Sequence, residues 1–111
     1  MRILIDECIH VGVKSAFSGH AVKTVSEMGW RSSKDGPLLV LAQNQFDVFV
    51  TIDRNLEHQQ NLAKLKMGFV IVRVPGNEIA HYEPLFEELK VAAETVHAGQ
   101  VISVLSPLLK S

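Results

Sequence analysis

The sequence predicts an α/β fold, a three-layer α/β/α sandwich around a mostly parallel central sheet, in one domain covering residues 1–111. Three observations carry this. Short runs rich in Val and Ile alternate with segments of helical character, the pattern of parallel strands joined by crossover helices. Phe69-Val70-Ile71-Val72 is apolar at every position, as a strand covered on both faces must be. Hydrophobic residues make up 47% of 111 and charged residues 21%, enough for one compact core and too apolar for disorder.

The elements follow in order. Arg2-Ile3-Leu4-Ile5 reads as a first strand and residues 8–18 as a short helix stopped by Gly19. His20 to Val25 alternates Ala21/Lys23/Val25 with Val22/Thr24 and reads as a second strand; Ser26 to Lys34 is polar and reads as a loop or short helix. Asp35-Gly36-Pro37 opens a helix through Leu38 to Asn44, Asp47 to Ile52 is a third strand, and Asn55 to Lys66 a helix. Phe69 to Val74 is a fourth strand, ended by a Pro75-Gly76 turn. Residues 79–97 form the longest helix, with Leu85, Leu89, Ala92 and Val96 on one stripe widened by Phe86 and Ala93, and Gly99 beyond its end. Val101 to Leu105 is a fifth strand. Crossovers between parallel strands are expected to be right-handed.

Composition excludes several classes. The net charge of −1, with no long basic or acidic run, announces no broad nucleic-acid surface, though it leaves room for a local phosphate site. The single cysteine, Cys8, forms no internal disulfide and fits a reducing cytoplasm. The chain starts on a strand-like run without a signal peptide, and no apolar stretch nears the roughly 18 residues that span a membrane. The expectation is a cytoplasmic protein.

Two apolar strands finish on acids: Ile3-Leu4-Ile5 runs into Asp6-Glu7, and Val48-Phe49-Val50-Thr51-Ile52 into Asp53. Ligands of parallel α/β sheets gather beyond the C-terminal strand ends, so Asp6 and Asp53 are expected at one edge, with Asp35 opening a helix nearby. Carboxylates a few Å apart repel one another, and a hard divalent cation such as Mg²⁺ relieves that repulsion. A metal held this way activates water and stabilises charge on a phosphodiester. Each acid also has a plain structural reading: Asp6 and Asp53 as helix N-caps, Asp35 as a favourable acid in a first helical turn. Glu7 reads as outward-facing. Arg54, Asn55 and Gln59 follow Asp53; Asn55 and Gln59 share a helix face and, with Arg54, suit a phosphate backbone at a helix start, or equally a solvated face. His10, His20, His58, His81 and His97 lack metal-ligand spacing and read as structural. Cys8 reads as a small apolar group. Trp30 reads as an anchor for its loop, or as a platform for a base.

The succession "MRILIDE", "GW" with "KDGPLLVLA", and "FDVFVTIDRNL" resembles the small PIN-like domains regarded as nucleases of toxin–antitoxin systems, over about residues 1–95. The resemblance implies a small α/β/α sandwich whose acids bind Mg²⁺ or Mn²⁺ for RNA hydrolysis. Matched by motif, those acids are Asp6, Asp35 and Asp53, as metal ligands and catalytic groups. It further implies an RNA substrate contacted by Arg54, Asn55 and Gln59, and a cognate antitoxin protein as partner. The sequence departs from the family where a fourth acid usually stands: that region reads "VRVPGNEIA", and its one acid, Glu78, sits where the long helix begins.

Three functions compete. The first is a metal-dependent endoribonuclease. The second is a non-catalytic PIN-like protein-binding module. The third is a phospho-receiver-like domain, which would want a lysine after its last strand, where Ser106-Pro107 stand, and a Ser or Thr after the fourth, where Arg73-Val74-Pro75 stand. The apolar stretch Val101 to Leu109 suggests pairing with a second copy as a homodimer.

Overall fold

The computed structural model describes residues 1–109. Five strands, β1 (Arg2–Ile5), β2 (Ala21–Thr24), β3 (Val48–Thr51), β4 (Gly68–Arg73) and β5 (Val101–Leu105), form one sheet in the order β2-β1-β3-β4-β5. Every pairing is parallel, and Ile5 lies between Thr24 and Val50 in register. The α-helices are α1 (Asp35–Ala42), α2 (Leu56–Gln59), α3 (Ile79–Tyr82) and α4 (Phe86–Thr95). Among the described residues no helix is long and apolar enough to cross a membrane.

Alternation along the strands splits the interior into two cores, because successive side chains leave a strand on opposite faces. Ile3, Ile5, Val48, Val50, Val70 and Val72 meet Val13 and Phe17 from the segment after β1 and Tyr82, Leu85 and Leu89 from α3 and α4. Leu4, Phe49 and Phe69 meet Leu38 and Leu39 of α1, Leu56 of α2 and Leu62 on the other face. The all-apolar strands are thus explained by two covered faces, and the α/β/α sandwich stands.

Three helices differ from expectation. Residues 8–18 give a 3₁₀ stretch, Val11–Phe17, capped by His10, whose Nδ1 accepts from Gly12 N at 2.9 Å. A Cβ on Gly12 would meet Ile79 Cδ1 at 2.7 Å, so this segment packs closely on α3 and a larger residue would have to displace the Ile79 side chain. Residues 55–66 break at Gln60, which is extended (φ −127°, ψ 147°), before a 3₁₀ turn, Leu62–Lys64, that turns Leu62 into the core. Residues 79–97 are interrupted at Pro84, which has no N–H to give, so the 3₁₀ turn Glu83–Leu85 separates α3 from α4. Gly19 (φ +87°) holds the left-handed position expected after its helical stretch, whereas the long helix ends at Thr95 with Val96 extended, so Gly99 (φ +81°) turns the loop before β5 and does not end the helix.

The crossovers also depart from expectation. The segment after β1 carries the chain from β1 outward to β2, and α4 carries it from β4 outward to β5 in the opposite direction along the sheet. Both lie on the same face, sharing one core and joined by the Lys90–Ser18 and His20–Glu94 hydrogen bonds. Opposite moves over one face have opposite hands, so the crossovers cannot all be right-handed. The β4–β5 connection has the hand opposite to the other three, whose helices cover the faces that a common hand requires. The loop after β4 holds it there: Asn77 Oδ1 accepts from both His10 N (3.2 Å) and the hydroxyl of buried Tyr82, tying the end of β4 to the β1 side.

Candidate functional site

The order β2-β1-β3 makes β1 and β3 neighbours at the point where successive connections leave in opposite directions, the crevice in which parallel α/β sheets bind ligands. Asp6 continues β1, its N–H donating to Val50 O at 2.9 Å. Asp6 lies two residues beyond Leu4 and Thr51 two beyond Phe49, so both side chains fall on the face that α1 covers.

Thr51 joins the two strand ends. Its fully buried side chain donates through Oγ1 to Asp6 Oδ2 at 2.6 Å and accepts from Asp53 N at 3.1 Å. The remaining Asp6 oxygen, Oδ1, accepts from Glu7 N at 2.8 Å, and Asp53 Oδ1 accepts from Asn55 N at 3.0 Å. Each acid therefore serves a local turn and neither caps a helix, since the cap positions belong to His10 and Asn55. A carboxylate has about four acceptor sites, so neither is exhausted by these bonds.

Asp35 is the first residue of α1 and accepts no hydrogen bond from the described residues. Partial burial pushes its pKa above the ordinary 3.8, with further upward pushes from the carboxylates of Asp6, Asp53 and Glu7. The electrostatic field thus links the sequence-predicted acids in one neighbourhood. Glu7, read as outward-facing, is exposed yet useful there: it accepts from Ser32 N at 3.3 Å and pairs with Arg31 at 3.4 Å, tying down the loop that leads to Asp35. Ser32 is the one described non-glycine residue with positive φ (+65°). Glu78 stands at the start of α3, with its N–H on His81 Nδ1 at 3.3 Å, and supplies no fourth acid to this group.

Carboxylate oxygens fit a hard divalent cation, and the like-charge repulsion on Asp35 is what such a cation would relieve. Among the described residues no group of three or more His, Cys, Asp or Glu side chains is arranged to hold a metal as it stands. Mg²⁺ needs fewer, since it commonly takes one or two carboxylates and keeps several waters. Asp6, Asp35 and Asp53 supply oxygen donors of the kind such an ion takes, without the geometry of a ready three-acid site.

The other predicted residues separate. Arg54 lines an open groove beside Asp53, and Asn55 acts through its backbone. Gln59 lines a different groove with Ala63, Gly99 and Val101, toward the N-terminal end of β5, and is not brought to the acids. Gln60 is instead the residue near Asp35's helix, its side chain lying where a Cβ on Gly36 would meet it at 3.4 Å. Trp30 is an anchor, edge-on to Phe46 with ring centroids 6.2 Å apart. Cys8 packs half-buried against the core, and its thiol is pushed up to about 11 by burial and then by Asp6, which makes it a poor nucleophile.

Reading the sequence missed Thr51, Arg73 and Asn77. Thr51 carried a signal: a hydroxyl ends an otherwise apolar strand, and a buried hydroxyl must find partners. Comparisons of the chain with protein-family models, with curated proteins and with solved structures find no match.

Proposed function

We propose that the protein is a cytoplasmic Mg²⁺- or Mn²⁺-dependent endoribonuclease, the toxin of a toxin–antitoxin pair, that hydrolyses RNA phosphodiesters at the C-terminal edge of β1 and β3. The observation that carries this is the buried Thr51 hydroxyl that ties Asp6 to the Asp53 turn across the ends of β1 and β3, with Asp35, pushed upward by burial and then by these carboxylates, in the same neighbourhood. A divalent ion held by Asp6, Asp35 and Asp53 would offset that repulsion and stabilise the charge that builds on phosphorus during hydrolysis. The chain's own groups do the positioning. Thr51 fixes Asp6 against β3, Glu7 fixes the loop leading to Asp35, and the Arg54 guanidinium is free to meet a non-bridging phosphate oxygen. β5 has a single strand neighbour, β4, so its outer edge is where a cognate antitoxin or a second copy would pair.

The test is cleavage of single-stranded RNA with Mn²⁺ by the wild type beside Asp53→Asn. The wild type is expected to cleave and to lose activity with chelator, and the variant to be inactive. Equal cleavage by both removes the reading. The non-catalytic binding module keeps one supporting observation, the position of Glu78 at a helix start rather than with the acids. A folded chain with no Mg²⁺ or Mn²⁺ affinity by calorimetry would favour it.

A further inference from the structure

An open groove of about 510 Å³ lies at the ends of β3 and β4, lined by both chain neighbours of Asp53 but by none of the three acids. Ile52 and Arg54, the residues flanking Asp53, form one wall, and Arg73, Val74 and Pro75 the other, with Leu109 closing one side. None of the described lining residues is acidic. Neither arginine has an ion-pair partner among the described residues, whose cation–carboxylate pairs involve Arg2, Lys14, His20 and Arg31. Asn77 also lines the groove. Its Oδ1 is held by His10 N and Tyr82, which fixes the amide orientation and leaves the Nδ2 donors without a described partner. Among the described residues, two guanidiniums without ion-pair partners and an oriented amide thus stand around an apolar trough. A phosphate matches the forked donors, and an unpaired base has an apolar face for Pro75 and Leu109. In a duplex that face is hidden by stacking.

We propose that this groove is a binding site for single-stranded nucleic acid, in which Arg54 and Arg73 each meet a phosphate and an unstacked base rests on the aliphatic wall. The site extends a strand away from Asp53, so it deepens the nuclease reading and relies on that reading for the strand's place relative to the acids. Binding itself needs neither metal nor cleavage.

The experiment is fluorescence anisotropy of a labelled single-stranded RNA 10-mer in chelator, over a salt series, with DNA of the same sequence and the RNA duplex as further arms. The wild type is expected to bind both single strands within a few-fold of each other and the duplex more weakly. Arg73→Gln and Arg54→Gln are each expected to weaken binding about tenfold and to lower the slope of log affinity against log salt by about 0.7. Arg73→Lys keeps the charge and is expected to retain most of the slope while losing affinity, which separates a phosphate contact from damage to the fold. The proposal is overturned if the wild type binds no single strand, or if both Gln variants bind as it does. A wild type that binds through both arginines but never cleaves keeps the groove and removes the nuclease. One that cleaves while both Gln variants bind unchanged keeps the nuclease and removes the groove.

Discussion

Replacing Thr51 with Val removes one oxygen and nearly nothing else. The side chain is fully buried, Val fills almost the same space, and β-branching suits the strand. Two strong bonds go, the 2.6 Å donation to Asp6 Oδ2 and the 3.1 Å acceptance from Asp53 N, together with a long, weak contact to Cys8 Sγ at 3.9 Å. A hydrogen bond to a charged group contributes about 1.5–3 kcal/mol and a neutral one about 1 kcal/mol. Asp6 and Asp53 are half-buried, so water takes over part of both roles, leaving an expected loss of about 2 kcal/mol. For a domain of this size that lowers Tm by roughly 10 °C, at about 5 °C per kcal/mol. Urea unfolding followed by far-UV circular dichroism measures it. A cycle with Asp6→Ala separates the bond from the packing: the double variant is expected to fall short of the summed single losses by about 1 kcal/mol. A Thr51→Val chain within about 0.5 kcal/mol of wild type, or strict additivity with Asp6→Ala, would refute the claim that this hydroxyl couples the two strand ends.

Asp35 holds its proton more tightly when folded than its ordinary value of 3.8. Folding therefore takes up protons between that value and the raised one, and the contribution of this group to stability falls as pH rises through that interval. Asp35→Asn is expected to gain on wild type near pH 7 relative to about pH 3, and an NMR titration should find the Asp35 carboxyl moving back toward 3.8 in Asp6→Asn; the same pKa in both proteins would contradict the shared field. Gly99→Ala forces a side chain into a left-handed position (φ +81°) with its Cβ 2.9 Å from Ala63 O, so unfolding experiments should record a loss above about 1 kcal/mol. Tyr82→Phe strips the donor from Asn77 and should cost about 1–2 kcal/mol while speeding hydrogen exchange at His10, whose N–H shares that acceptor; unchanged exchange would separate the two contacts.

The strands were the most legible part of the chain. Phe69 to Val72 and Ile3 to Ile5 announce themselves because burial on both faces demands apolar residues at every step. Helices were less legible because their interruptions come from tertiary packing: Gly12 is pressed by Ile79 and Gln60 turns toward Gly36, contacts between residues far apart in sequence. Pro84 was the exception, a break readable from its missing N–H. The hand of the last crossover was invisible, since it depends on which sheet face α4 covers, a packing choice its own apolar stripe does not specify. At the site, strand-end position marked Asp6 and Asp53 and motif resemblance marked Asp35. Thr51 and Arg73 were overlooked because their significance lies in what stands beside them once β1, β3 and β4 are aligned.

The reversed β4–β5 connection has a consequence for how the chain reaches its fold during synthesis. Strands β1 to β4 can assemble as they emerge, and α1 and α2 promptly cover one side of the sheet. The opposite side, including Val13 and Phe17, stays bare until α4 arrives, some seventy residues later. The first and last thirds of the chain are thereby interlocked, and a nascent polypeptide ending before Phe86 carries an oily surface that only a chaperone or its own missing tail would shield.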